Sequence, residues 1–491
     1  MTAPTLDLLF EQTEILARSA PEPSAQILRQ AERIRPSSAP SPMMVRAIEH
    51  DSRLVGPGSL YCAISGAVHD GHDFIAQAVA AGAIGVVAER PVDSAADVEQ
   101  IIVDNVRAAM PWFATSFCGT PSHDIDVVGV TGTNGKTTTT HLLGDIARHA
   151  GRGVEIIGTL SGQRTTPESP ALQRTLRAAH DAGLALVAME VSSHALDQHR
   201  SDGVRFAASI FTNLSPDHLD YHPSMDAYFE AKAQLFDDRS VVAVINIDDE
   251  RGRELALRRP DAICISLAEV EVLDVSTTGS TFSWRGGSIA LPLAGRFNIL
   301  NALCAAEAAA IVGFSNDEIR SGLEAAAPVP GRMDLVAALG DGAPAVYVDY
   351  SHTPDSLEHA LVAAREFSAG RVITVFGCGG DRDASKRPLM GDVAKRRSDI
   401  AIVTSDNPRS EDPDAIIAQV LKGMNTGPAE VSVEPDRRAA IGRALDAATA
   451  SDVIVIAGKG HETTQTVGDQ VLPFDDRLVV AELATERGVD R

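Results

Sequence analysis

The run Val127–Val128–Gly129–Val130–Thr131–Gly132–Thr133–Asn134–Gly135–Lys136–Thr137–Thr138 joins a β-branched strand to two glycines, a lysine and a string of threonines. Such residues in this order can hold phosphate. Glycines let backbone N–H groups come close to phosphate oxygens, and the N-terminus of the following helix adds partial positive charge. Lys136 is spaced to reach the β- and γ-phosphates, and the hydroxyl of Thr137 is a ligand for Mg²⁺. The general GxxxxGK[ST] pattern asks for glycine at position 130, where this chain has Val130, so the loop is a variant. A phosphate-bound Mg²⁺ needs further oxygen ligands. Glu190, closing the apolar run "ALVAME", is a carboxylate at a strand end. Asp217, His218, Asp220 and His222 in "NLSPDHLDYH" are spaced to ligate, or simply to cap a helix. A third stretch, "SDNPRSEDP", sets Arg409 among acidic residues after an apolar run. Its Asp412–Pro413 pair reads as the N-cap and first residue of a helix, which leaves Arg409 unexplained.

These residues need a scaffold. At 491 residues the chain is too long for one core and divides into several domains. Apolar runs ending in polar loops, with helical patterns between them, predict an α/β fold of three domains. Residues 1–121 form a small N-terminal α/β domain, where "SLYCAI", "HDFIAQAVAAGA" and "IGVVAE" read as strand, helix and strand. Residues 122–332 form a central P-loop ATPase-like domain with a mostly parallel sheet, its strands being "DVVGV", "ALVAME", "ASIFTN" and "VVAVIN". "TTGSTFSWRGGSIALPLAG" alternates like an antiparallel hairpin. Residues 333–491 form a Rossmann-like domain with strands "AVYVDY", "RVITVFG", "IAIVTSD" and "VIVIAGKG". Ligands bind at the carboxyl ends of such strands, which is where Arg409 stands.

Lys plus Arg number 43 and Asp plus Glu 67, a net charge of −24 that argues against nonspecific nucleic-acid binding. Five scattered cysteines suggest neither zinc nor a disulfide framework, which suits a reducing cytoplasm. The N-terminal stretch lacks the charged start and apolar run of a signal peptide, and no apolar run is long enough to span a membrane. A cytoplasmic monomer with no membrane insertion is expected.

Ten segments occur in one order: "GVTGTNGKTTTT", "MEVSSHALDQHR", "TNLSPDHLDYH", "AYFEAKAQLF", "LAGRFNILNALCAA", "PGRMD", "VDYSHTPDSL", "FGCGGDRDASKRPLM", "DNPR" and "GKGHETTQ". Together they resemble the Mur ligases, ATP-dependent amino-acid-adding enzymes of peptidoglycan synthesis, from about residue 45 to 470. The resemblance is greatest to members that add meso-diaminopimelate to UDP-N-acetylmuramoyl-L-alanyl-D-glutamate. It implies three domains binding the UDP end, ATP and the incoming amino acid. It also implies a mechanism in which a substrate carboxylate takes the γ-phosphate and the acyl phosphate is then attacked by the amine.

The resemblance further implies roles for individual residues. ATP is held by Gly132, Thr133, Asn134, Gly135, Lys136, Thr137 and Thr138, with Asn298 and Asn301 on the adenine side and Arg332 and Asp349 near phosphate and ribose. His352 stands close to the same site. Thr137 and Glu190 bind a first Mg²⁺, and His218 and Lys232 serve a second, Lys232 as an N-carboxylated (carbamylated) lysine. Read alone, "FEAKAQ" places Lys232 on an exposed helix face and "GRFNILN" makes its asparagines helix-start caps. Ser52 and the loop Ala67–Val68–His69 match uracil-side positions. Thr165, Thr166, Ser192, Gln198 and Arg200 match the muramoyl-peptide side, although many relatives carry Asn where this chain has Arg164. Asp406, Asn407, Pro408 and Arg409, with Arg382, Gly458 and Glu462, would take the far end of diaminopimelate, whose extra carboxylate suits a guanidinium.

Other readings are an L-lysine-adding or folylpolyglutamate-synthase-like ligase, a nucleotide-binding regulator without catalysis, and a dehydrogenase. "DNPR" and the Thr165–Thr166 pair weigh against the first. The presence of Lys232, His218 and Glu190 weighs against the second. Gly377, Gly379 and Gly380 do not fit the dinucleotide pattern of the third.

Overall fold

A computed structural model describes residues 3–18, 24–36, 43–66, 69–162, 164–237, 239–336 and 342–487. The first sheet has five strands in the order Glu32–Ile34, Glu99–Ile102, Ala83–Ala88, Ser59–Cys62, Ala47–Glu49. All are parallel except Glu32–Ile34. The helices Leu6–Arg18 and Val106–Phe117 close one face through Leu9, Phe10, Met110 and Phe113.

The second sheet has six parallel strands, in the order Ile263–Ile265, Ser240–Asn246, Phe206–Phe211, Asp126–Thr131, Leu186–Glu190, Val154–Ile157. A parallel sheet is buried on both faces, so its strands read as unbroken apolar runs. Helices Lys136–His149 and Arg296–Ile311 cover one face with Leu142, Leu143, Ile146, Ile299 and Leu303. Leu172, Leu176, Leu196, Phe229 and Phe236 cover the other. Burying each such side chain contributes about 1.5–3 kcal/mol of transfer free energy. The strand Asp126–Thr131 pairs with later strands on both sides, so chain order reverses around it. Its carboxyl end is therefore a crevice, and the phosphate-type loop opens there.

The expected hairpin is Ser280–Trp284 with Gly287–Leu291, and Val272–Val275 adds a third antiparallel strand. The last large sheet runs Asp334–Leu335, Ala345–Asp349, Val453–Ala457, Val372–Phe376, Ile400–Val403, Glu430–Val433, parallel but for its first strand. A hairpin, Thr464–Val467 with Gln470–Pro473, stands beyond it and pairs through Val467 with Arg409. The sequence pattern missed this hairpin, because its strands are short and exposed and carry no apolar alternation. Asp412 caps the helix Pro413–Leu421 as expected, accepting from the Asp414 N–H at 3.0 Å.

Candidate active site

The loop after Thr131 turns on two glycines with positive φ, Gly132 (149°) and Gly135 (87°). A Cβ on Gly132 would lie 1.9 Å from the Thr212 hydroxyl, and one on Gly135 would lie 2.4 Å from Asn301 Oδ1. No other residue fits either place. Gly135 caps the helix Lys136–His149 without a side-chain bond, leaving the first-turn N–H groups directed at the crevice. The loop is pinned from the segment that follows the neighbouring strand Phe206–Phe211: Thr133 N–H donates to the Asn213 carbonyl, and Asn134 N–H to Asn213 Oδ1, both at 2.9 Å. Lys136 Nζ donates to the Gly132 and Thr133 carbonyls at 2.8 Å. Burial pushes its pKa down, against the pull of Glu190.

This loop forms one wall of a cavity of about 650 Å³. The cavity also receives Thr138, Glu190, Ser192, Thr165, His218, Lys232, Asn301, Arg332, Asp349 and His352. Asn298 lies one layer behind. Its amide donates to the Ala294 carbonyl at 2.8 Å, and its Oδ1 accepts from Asn301 at 3.2 Å. The helix N-cap is Gly295, so neither asparagine is the cap its position suggested.

Glu190 is 1% exposed and accepts from the Thr159 N–H at 2.9 Å and the Thr159 hydroxyl at 3.2 Å. A Cβ at Gly158 would fall 2.3 Å from its Oε1, so any larger residue there would displace the carboxylate. Lys232 overturns the reading of an exposed helix lysine. It is 1% exposed, its Nζ donates to the Gly132 carbonyl at 2.9 Å, and it stands 4.5 Å over the Tyr228 ring. Burial, helped by the charge on Lys136, pushes its pKa well below the ordinary lysine value. His218 has φ 55°, which aims its ring edge-on to His194 with centroids 4.8 Å apart. Burial lowers its pKa, opposed by Asp217.

Across the cavity, Arg332 Nη2 donates to Thr137 Oγ1 at 3.3 Å and its guanidinium lies 4.6 Å over the Tyr350 ring. Asp349 accepts from Met333 N–H at 2.7 Å and Ser351 N–H at 2.8 Å, and burial raises its pKa. His352 Nδ1 donates to the Tyr350 carbonyl at 2.8 Å, which leaves Nε2 as the free ring nitrogen. Burial lowers the His352 pKa.

Thr166, Gln198 and Arg200 stand behind the wall formed by Thr165 and Ser192. Thr166 donates to the Glu190 carbonyl at 2.9 Å and accepts from Ser192 N–H at 3.1 Å. Arg200 donates to Gln198 Oε1 at 2.7 Å and pairs with Glu168 at 3.0 Å, and Glu168 also pairs with Arg164. Ser52 lies in the first sheet's layer, its hydroxyl 3.5 Å from Gln77 Oε1. His69 is described, but Ala67 and Val68 lie outside the described residues.

The Arg409 group gathers at the end of the last sheet. Asp406 and Asn407 are buried, and Asn407 Nδ2 donates to Glu462 Oε2 at 2.8 Å. Burial raises the Asp406 pKa, with Arg437 and Lys459 opposing. Pro408 is buried as well, Arg409 is half-buried, and the Arg409 guanidinium donates to the Gly380 carbonyl at 2.6 Å. A Cβ on Gly379 would meet Arg409 Nη1 at 3.0 Å and the Arg382 stem at 3.8 Å, so both arginines border one spot. Gly458 has φ 115°, and a Cβ there would sit 3.5 Å from the Asp406 carboxylate. Tyr350 connects the two groups: it lines the cavity and stacks at 5.1 Å on His461, the neighbour of Glu462.

Sequence reasoning assigned no role to Asn213, Tyr228 or Asp355. Each lies inside a quoted segment, but only the fold shows that Tyr228 OH meets Thr133 Oγ1 at 3.2 Å and that Asp355 accepts from Asn134 at 3.0 Å.

Residues 44–117 match the Mur ligase family catalytic domain, residues 130–309 the Mur ligase middle domain, and residues 331–460 the Mur ligase glutamate ligase domain. A UDP-N-acetylmuramoyl-L-alanyl-D-glutamate–2,6-diaminopimelate ligase of Geobacillus thermodenitrificans is 43% identical over 468 residues, spanning 90% of this chain and 95% of that protein. A solved structure of a ligase of the same name is 32% identical, covers 91% of this chain and 96% of the other, and superposes with a TM-score of 0.64. The Thermotoga maritima MurF ligase in complex with ADP shares the fold, with a TM-score of 0.60 at 18% identity over 91% of this chain and 97% of that one.

Proposed function

The chain belongs to the Mur ligase family, and we propose that it joins meso-diaminopimelate to UDP-N-acetylmuramoyl-L-alanyl-D-glutamate with ATP as co-substrate, as a cytoplasmic monomer making peptidoglycan precursors. The observation that carries the reading is the 43% identity, over nearly the whole length, to a ligase of that specificity. Residues 1–121 would take the UDP end, 122–332 ATP, and 333–491 the amino acid.

Two anions must meet, the substrate carboxylate and the γ-phosphate, and their repulsion is the main barrier. The first-turn N–H groups of the helix Lys136–His149, and Lys136 itself, would face the phosphates. Asn301, with Asn298 holding it, borders the adenine side. Arg332 and Asp349 border phosphate and ribose, and His352 presents Nε2 nearby. The carboxylate oxygen attacks the γ-phosphorus as the bond to ADP breaks. The amine nitrogen then attacks the acyl carbon, phosphate leaves, and the amine loses a proton. Ser52, Thr165, Thr166, Ser192, Gln198 and Arg200 would orient the muramoyl dipeptide.

Among the described residues no three His, Cys, Asp or Glu side chains form a metal cage on their own. That suits Mg²⁺, which is commonly held by one or two protein oxygens together with phosphates and water. The Thr137 hydroxyl and the buried Glu190 carboxylate fit a first ion, and His218 with Lys232 a second. Bound there, the cation would offset phosphate charge. Lys232 suits that role only as an N-carboxylate, because an ammonium repels a cation. Its burial and lowered pKa favour the neutral amine that adds to CO₂.

The Arg409 guanidinium, with Arg382, Asp406, Asn407, Pro408, Gly458 and Glu462, would receive the far end of diaminopimelate. L-Lysine lacks that carboxylate and would leave Arg409 without its partner. Supplying ATP, Mg²⁺ and UDP-N-acetylmuramoyl-L-alanyl-D-glutamate with either amino acid tests the reading. Phosphate release is expected with meso-diaminopimelate. Release only with lysine would overturn the specificity, and none with either would overturn the ligase reading.

A further inference from the structure

Lys459 is completely buried, a costly place for an ammonium, yet the reaction as described above makes no use of it. It follows the strand Val453–Ala457 and is flanked by Gly458 and Gly460, both with positive φ (115° and 54°). Those glycines turn the chain so that the lysine points inward, beneath the loop carrying Asp406–Arg409. Its Nζ donates to the Thr464 carbonyl at 2.6 Å and lies 3.4 Å from both Asn407 Oδ1 and Glu462 Oε2. Asp406 Oδ1 stands 3.8 Å away. Three donors therefore meet three acceptors, and none remains for a ligand.

The same contacts settle how Asn407 is turned. Its Oδ1 accepts from Lys459 and from the Thr466 N–H at 2.9 Å, so its Nδ2 must face Glu462, which it meets at 2.8 Å. Lys459 thus binds three separate pieces of chain: the loop at 406–407, the turn at 462 and the hairpin at 464–466. It also places one positive charge between the Asp406 and Glu462 carboxylates, which would otherwise repel each other. Glu462 keeps 34% of its side chain exposed and can still present an oxygen outward.

We infer that Lys459 is a positioning residue of the amino-acid site: it fixes the side chains of Asn407 and Glu462 and does not touch the substrate. This rests on the reading that the 406–409 loop receives the incoming amino acid.

The test uses the full-length enzyme and the near-isosteric Lys459→Met. The KM for meso-diaminopimelate should rise about ten- to a hundredfold, the size expected when buried polar partners lose their bonds. The KM values for ATP and for the UDP-muramoyl dipeptide should stay within about twofold, under a factor that tertiary context alone produces. An unchanged diaminopimelate KM in the folded variant would overturn the inference. So would all three KM values rising together, the mark of a purely structural lysine. Should Lys459→Met fail to fold, Lys459→Arg decides. It keeps the charge but cannot reach the same three acceptors, and a wild-type diaminopimelate KM or a uniform loss would overturn the inference. If wild-type enzyme does not use diaminopimelate at all, the underlying functional reading fails instead, whatever Lys459 does.

Discussion

At the scale of single residues, burial changes the chemistry open to an ordinary side chain. Lys232 would be a solvated ammonium on an exposed helix. Seated under Gly132 and beside Tyr228, it loses its water and favours the neutral amine. Lys232→Ala is expected to abolish phosphate release. Millimolar bicarbonate should not restore it, while a short carboxylic acid, standing in for the missing carboxylate, should do so in part. Full activity of the alanine variant would remove the lysine from the reaction. Arg409 is shaped by backbone rather than burial. Its φ of 52° is strained for a residue with a side chain, and it is held by Thr466 and Gly468, which bond its N–H and carbonyl at 3.0 and 2.7 Å. Arg409→Ala should lower kcat/KM for meso-diaminopimelate by roughly ten- to 150-fold, the worth of a hydrogen bond to a charged group. KM measurements with lysine as the competitor check this, because preference for diaminopimelate should fall with it.

At the scale of elements, the carboxyl ends of the strands border the proposed sites and the opposite ends carry the scaffold. In the last sheet, Asp452 ties two strands at the end away from the proposed amino-acid site. It accepts from Arg371 N–H and Nη2 at 2.7 Å and from Thr449 N–H at 2.8 Å. Burial works to raise its pKa, but the bonds from Arg371 and Thr449 outweigh this and hold the carboxyl well below its usual range. A depressed pKa stabilises the fold above the unfolded value near 3.9, and that stability is lost as pH falls through the folded value. Asp452→Asn should therefore cost about 2–3 kcal/mol at pH 7, and less as pH drops below about 4. Denaturant unfolding at pH 7 and pH 3 measures the difference.

For the whole molecule, the cavity exists because two sheets face each other. Asn134 on the phosphate-type loop donates to Asp355 at the start of the helix Pro354–Phe367, and Arg332 in the connecting segment donates to Thr137. These bonds run between the central and last sheets across the proposed nucleotide site, so a nucleotide bound there would be linked to the arrangement of the sheets. Asp355→Ala should raise the KM for ATP a few-fold, in keeping with one hydrogen bond worth about 1 kcal/mol. The midpoint of thermal unfolding without nucleotide should barely change. A large loss of stability with an unchanged KM would make the contact purely structural.

Much was legible in the sequence. Long apolar runs closed by glycine or a carboxylate marked the central strands, because a strand buried on both faces has little choice of residue. The glycines of the phosphate-type loop announced themselves for the same kind of reason, since Thr212 and Asn301 leave no room for a Cβ. Short edge strands such as Val154–Ile157, Ile263–Ile265 and Glu430–Val433 carried too little pattern to be found. What only the tertiary structure decided was proximity and dielectric. No spacing along the chain shows that Lys232 lies under a carbonyl 100 positions earlier, that Asp355 reaches Asn134, or that Lys459 is fully buried. Sequence determines which groups are available. Their pKa values and partners depend on the solvent that the packed sheets exclude, which is a property of the whole fold.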